Sequence, residues 1–178
     1  MTSVHEETVG TVMIRQEEIL AKAKEIGARI TEEFQGEEIV MVGILRGAVL
    51  WMADLIKCVD LDMTIDFMAV SSYGAATKTS GVVRINKDLE TDIDGKSVII
   101  VEDIVDSGVT LNYLKGYFQS RGAKTIRVCA LLDKPAGRRV DIDVDYIGFT
   151  VDDRFIVGYG LDYDQKYRNL PYITYLED

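Results

Sequence analysis

The chain has 178 residues, the length of one domain, and its 47% hydrophobic and 28% charged content is that of a globular rather than a disordered protein. Thirty acidic against twenty basic residues give a charge of −10, which argues against unspecific binding to nucleic acid or anionic membrane. The single histidine, His5 in a polar N-terminal segment, excludes an HExxH zinc site and leaves only His5 for a Ser-His-Asp triad; a metal would have to be held mainly by carboxylates and other oxygens, the ligands of magnesium. Cys58 and Cys129, 71 positions apart in apolar surroundings, read as free buried thiols of a reducing compartment. Met1 to Thr11 shows neither a basic region nor a long apolar run, and no stretch approaches the roughly 18 apolar residues of a membrane span. A cytoplasmic location is expected.

Along the chain, Ile19, Leu20, Ala23, Ile26, Ile30 and Phe34 recur at helical spacing, with Gly36 as a stop. Glu38 to Leu45 predicts a strand that is apolar on both faces, broken by Arg46-Gly47, and Ala48 to Val59 predicts a helix. Met63 to Val70 reads as a strand with Met63, Ile65 and Phe67 on its apolar face and Thr64 and Asp66 toward solvent. Ser71 to Gly81 is small and polar with no apolar face and reads as a mobile loop. Val82 to Ile85 follows as a short strand, and Val98 to Val101 as a central parallel one. Next come a helix over Val109 to Ser120, a buried strand over Thr125 to Leu132, short strands at Tyr146 to Thr150 and Phe155 to Val157, and a Tyr-rich tail.

Strands alternating with helices predict an α/β fold with a mostly parallel central sheet, whose ligand crevice lies beyond the carboxyl ends of the strands. Arg46-Gly47, Glu102-Asp103 and Asp133-Lys134 stand at those ends. The most informative stretch is Val98 to Leu111. A hydrophobic strand delivers Glu102 and Asp103, and a turn with Asp106, Ser107, Gly108 and Thr110 opens a helix. The unpaired N–H groups of a helix start suit a phosphate, Gly108 permits close approach, and the hydroxyls add donors. Acids beside a phosphate repel it unless sugar hydroxyls or a magnesium ion meet them. The absence of a Gly-Lys-Ser/Thr ending excludes a Walker P-loop.

Val98 to Leu111 resembles the signature of the phosphoribosyltransferases, which bind 5-phosphoribosyl-1-pyrophosphate. Leu45-Arg46-Gly47, Ser72-Tyr73, Leu132 to Pro135, Phe155 to Tyr163 and Arg168-Asn169-Leu170 place the resemblance in the hypoxanthine-guanine branch, from about Glu17 to Tyr175. The resemblance implies one domain over 1–178 with the type I phosphoribosyltransferase fold, a lid at 71–81 carrying Ser72 and Tyr73, and a small hood built from the terminal segments, including about 150–178. It implies that Glu102 and Asp103 meet the ribose hydroxyls, directly or through water and Mg2+, with Asp162 also near the metal and the exocyclic position of the base. Asp106 would be the general base or proton carrier near purine N7. Ser107, Gly108, Val109, Thr110 and Leu111 would hold the 5′-phosphate, and Arg46, Gly47 and Arg168 the pyrophosphate. Lys134 would donate to purine O6, Phe155 stack on the base and the Ile156 backbone read its edge. A cis peptide between Leu45 and Arg46 and a homodimer or homotetramer are further implications.

The implied activity makes IMP or GMP from hypoxanthine or guanine, without nucleic-acid or membrane partners. Two other readings compete. A nucleotide-sensing, RNA-binding regulator on the same fold would want a basic face, against which the net charge argues. A signalling receiver domain would leave the Ser107 to Thr110 cradle unexplained.

Overall fold

The computed structural model describes residues 9–72 and 82–176. Helix α1 (Gln16–Glu33) forms on the three-four spacing and buries Ile19, Ala23, Ile26 and Ile30. At its start the Arg15 N–H donates to Glu18 Oε2 at 2.9 Å, and Glu17 and Glu18 oppose the positive end of the helix dipole. Six strands make the main sheet: β1 (Ile39–Leu45), β2 (Met63–Ser72), β3 (Val83–Lys87), β4 (Ser97–Val105), β5 (Thr125–Asp133) and β6 (Tyr146–Thr150). Their order is β3-β2-β1-β4-β5-β6, all parallel except β3, which is antiparallel to β2.

The strand period of two sorts the core into two layers. Ile39 and Met41 of β1 and Ile99 and Val101 of β4 face α1 and α2 (Val49–Ile56), packing with Ile26, Trp51 and Leu55. Val40, Val42, Val98 and Ile100 face α3 (Val109–Ser120), packing with Leu114 and Phe118. The chain leaves β1 toward β2 on one side and later returns to β4 on the other, so a topological switch point lies between the carboxyl ends of β1 and β4. A second sheet pairs β7 (Ile156–Val157) with β8 (Thr174–Tyr175), and the N-terminal segment joins it through bridges Val9–Leu176 and Ile14–Ile173.

Several expectations are corrected. In β2 it is Ile65 that meets solvent, at 44% exposure, while Asp66 is buried at 6%. The Asp66 carboxylate accepts the backbone N–H groups of Phe67, Glu90 and Thr91 at 2.7, 2.9 and 2.8 Å, with Lys87 Nζ at 3.7 Å, which removes the penalty for burying it. Ser71 and Ser72 belong to β2, paired with Arg84 and Val83, rather than to a loop; the rest of the stretch expected as a loop, residues 73–81 with Tyr73, lies outside the described residues, as does His5. Strand β4 runs on to Val105, which puts Glu102 and Asp103 within the strand rather than beyond it. Helix α2 is shorter at both ends than its periodicity suggested. Both cysteines are free, Cys129 buried and Cys58 only partly so.

Candidate active site

At the end of β1 the peptide Leu45–Arg46 is cis, and Gly47 lies against β4 so closely that a Cβ there would fall on the Asp103 carboxylate. Any side chain at position 47 would have to displace that carboxylate. Arg46 is exposed and donates from Nη1 to Gln165 Oε1 at 3.0 Å.

Because neighbouring residues of a strand point to opposite faces, Glu102 and Asp103 line different cavities. Glu102 borders one of about 440 Å³ together with Ser72, Asp106, Ser107, Gly108, Thr110 and Leu111. Asp103 borders one of about 230 Å³ together with Asp106, Lys134, Phe155, Ile156 and Asp162. Burial, reinforced by repulsion from Asp103, pushes the Glu102 carboxyl well above the usual carboxylate range; burial also raises Asp103, although its carboxylate accepts the Ile104 N–H at 2.7 Å and feels Arg168. Two acids held reluctantly ionised are a site that a cation would relieve. Among the described residues no three His, Cys, Asp or Glu side chains converge on one point, so a metal here would complete its shell with water and substrate oxygens. That donor set fits a hard divalent cation. Asp162 borders the same cavity as Asp103, its carboxylate paired with Arg168 Nη2 at 3.0 Å and accepting the Gln165 N–H at 2.8 Å.

Beyond β4 the chain turns through Asp106 and Ser107 to Gly108, which precedes α3 with φ +80. The turn is not capped by a carboxylate: Ser107 Oγ accepts the Val109 N–H at 3.3 Å, and the Ser107 carbonyl accepts the N–H groups of Arg139 and Val140 at 2.9 and 3.1 Å. The next N–H groups of α3 have no helical carbonyl to meet and border the larger cavity. Arg138 supports the turn, its guanidinium donating to the carbonyls of Val105 and Asp106 at 3.1 and 2.9 Å and pairing with Asp133.

In the smaller cavity Lys134 Nζ lies 3.2 Å from Asp106 and 3.6 Å from Asp153. Phe155 is 55% exposed and meets Tyr163 edge to face at 5.5 Å between centroids, an apolar surface left open at a cavity mouth. Arg168 donates to the Gly160 carbonyl at 2.7 Å and to Gln165 Oε1 at 3.3 Å.

The structure therefore gathers all the residues singled out from the sequence around the switch point except Tyr73, which is not described. Sequence reasoning missed Gln165, Arg138 and Asp153. Each acts through partners distant in sequence or through an exposed polar contact, and the motif spacing carried no signal for them.

A carboxylate pair in the central strand, a glycine-turned helix start and two adjoining cavities meet at the switch point, the place where open α/β sheets bind ligands. The chain matches the phosphoribosyl transferase domain family over residues 13–164 and belongs to it. It is 53% identical over 166 residues to a hypoxanthine-guanine phosphoribosyltransferase of Bacillus subtilis (strain 168), covering 93% of this chain and 92% of that one. A protein of the same name from Streptococcus thermophilus (strain CNRZ 1066) is 47% identical over 97% of this chain and 96% of its own length. A solved hypoxanthine phosphoribosyltransferase from Staphylococcus aureus superposes with a TM-score of 0.96 at 45% identity, over 99% of this chain and 96% of that one.

Proposed function

We propose that this site transfers the 5-phosphoribosyl group of phosphoribosyl pyrophosphate to hypoxanthine or guanine, giving IMP or GMP and pyrophosphate. The protein is a purine-salvage phosphoribosyltransferase. The observation that carries the reading is the division of Glu102 and Asp103 between two cavities that share Asp106, one of a size for a phosphorylated sugar and one for a flat base.

In this reading the Ser107 to Leu111 turn holds the 5′-phosphate on backbone N–H groups and hydroxyls, and Gly108 keeps that approach open. The purine nitrogen attacks the anomeric carbon as the bond to pyrophosphate breaks, so positive charge grows on the sugar. Glu102 and Asp103 face that charge from the end of β4. Asp106, released from Lys134, takes up the purine proton near N7. Lys134 turns its donors to O6, Phe155 stacks on the base, and the Ile156 backbone reads its edge. Arg46, Gly47 and Arg168 receive the pyrophosphate. A bound Mg2+ would supply charge neutralisation to the leaving group, held by Glu102 and Asp103.

The one domain over 1–178 carries its hood in the terminal segments, including β7 and β8. The enzyme works in the cytoplasm as a homodimer or homotetramer. Among the described residues no helix is long and apolar enough to cross a membrane. Glu102→Gln combined with Asp103→Asn is expected to lower pyrophosphate release by two or more orders of magnitude and flatten its Mg2+ dependence while the circular-dichroism spectrum stays native. Unchanged turnover and unchanged Mg2+ dependence in that variant would overturn the roles of the pair.

A further inference from the structure

Gln165 stands between the two arginines of the pyrophosphate subsite. Its Oε1 accepts from Arg46 Nη1 at 3.0 Å and from Arg168 Nη2 at 3.3 Å. Arg46 follows β1, whereas Arg168 lies over a hundred residues on, so this one amide oxygen ties the switch-point loop to the C-terminal segment. Asp162 already offsets Arg168 at 3.0 Å, and the Arg46–Gln165–Arg168–Asp162 group keeps a net charge of +1 only because residue 165 is neutral.

The backbone supports a side-chain role. Tyr163 and Lys166 exchange backbone hydrogen bonds at 3.2 and 2.9 Å, closing a two-residue turn in which Asp164 and Gln165 both have positive φ, at +49 and +63. Such turns favour Asn-Gly or Asp-Gly, and glycine would adopt the second position without steric cost. A glutamine there accepts strain that glycine avoids, as residues at ligand sites do. The Gln165 N–H donates to Asp162 Oδ2 at 2.8 Å, which aims the turn at the arginines.

We propose that Gln165 is a positioning residue of the pyrophosphate subsite: a neutral acceptor that holds two guanidinium groups side by side without cancelling their charge. Two cations left to themselves would separate, and a carboxylate in the same place would bind them and occupy the donors that an incoming diphosphate needs. The inference rests on the pyrophosphate assignment of Arg46 and Arg168 made above.

Two variants separate charge from shape. Gln165→Glu keeps the acceptor and the length but adds a negative charge; Gln165→Met keeps the length and loses the acceptor. Titration calorimetry of the whole protein with magnesium diphosphate, and separately with IMP, reads the subsite without turnover. Gln165→Glu is expected to weaken diphosphate about tenfold or more and to raise KM for phosphoribosyl pyrophosphate, leaving IMP affinity and KM for hypoxanthine within about twofold. Gln165→Met is expected to weaken diphosphate by a smaller factor, about threefold to tenfold. A purely structural glutamine would give the opposite order, with Glu tolerated and Met damaging, and that order, or wild-type diphosphate affinity in both variants, overturns the proposal. Wild-type protein that binds IMP but no diphosphate, or turns over no phosphoribosyl pyrophosphate, would instead overturn the assignment on which it rests.

Discussion

A lysine ammonium has three donors and no acceptor, and Lys134 keeps its own between Asp106 and Asp153 with the side chain only 14% exposed. A ligand that replaces those carboxylates must bring an acceptor, which the 6-oxo group of hypoxanthine does and the 6-amino group of adenine does not. Lys134→Gln can donate and accept, so the hypoxanthine-to-adenine ratio of kcat/KM is expected to fall about tenfold to a hundredfold; an unchanged ratio would make Lys134 an ordinary solvated lysine. Glu102 carries a different tension. Its carboxyl titrates well above the carboxylate range because it is buried beside Asp103. The native state therefore binds a proton that the unfolded chain has already released, and stability falls as pH rises from the usual glutamate range through the raised native value. Gln removes that penalty. Glu102→Gln is expected to raise the thermal midpoint of the metal-free protein at pH 8 and to leave it nearly unchanged at pH 4. An equal midpoint shift at both would show that ionisation of Glu102 carries no cost.

Among the elements, the turn between β4 and α3 depends on a glycine. Gly108 has φ +80, and a Cβ there would meet Ile142 Cγ2 and the Val140 carbonyl at 2.9 Å each. Gly108→Ala is expected to cost about 1–2 kcal/mol in urea unfolding and to weaken binding of a 5′-phosphorylated nucleoside more than that of the free base. Equal loss for nucleotide and base would argue that the turn does not hold the phosphate. This turn was legible in the sequence because an apolar run, two acids and Ser-Gly lie consecutively, and α3 begins and ends where its periodicity placed it. Strand β2 was not. Its alternation of Met63, Ile65 and Phe67 named the wrong solvent-facing residue because the donors that satisfy the buried Asp66 carboxylate include Lys87, Glu90 and Thr91, in or just after the next strand. The same cause hid Gln165 and Arg138, whose meaning lies in partners that only the folded chain supplies. Arg46, Lys134 and Arg168 were legible as site residues only through the ordered set of motifs around them, since a lone basic residue after a strand is ordinarily solvated.

At the scale of the whole molecule the site is closed by parts of the chain that are far apart. Ile14 and Ile173 exchange backbone hydrogen bonds, Gly10 N–H donates to the Tyr175 carbonyl at 2.8 Å, and the Tyr159 hydroxyl reaches Asp54 of α2. The sheet supplies the acids and the Gly108 turn, and the C-terminal segment supplies Phe155, Ile156, Asp162 and Arg168. Neither part makes the smaller cavity alone. On the proposed reading one part of the site meets the sugar phosphate and the other the base, so selectivity for the base is expected to be separable from grip on the phosphate. The decisive measurement is nucleoside monophosphate formation from phosphoribosyl pyrophosphate and Mg2+ with hypoxanthine, guanine, xanthine, adenine or uracil supplied singly. Rapid formation of IMP and GMP, with adenine and uracil slower by about a hundredfold or more, is the expected result. Product from uracil or adenine but not from hypoxanthine or guanine would contradict the assignment of Lys134, Phe155 and Ile156 as a 6-oxopurine site, and with it the central reading of this protein.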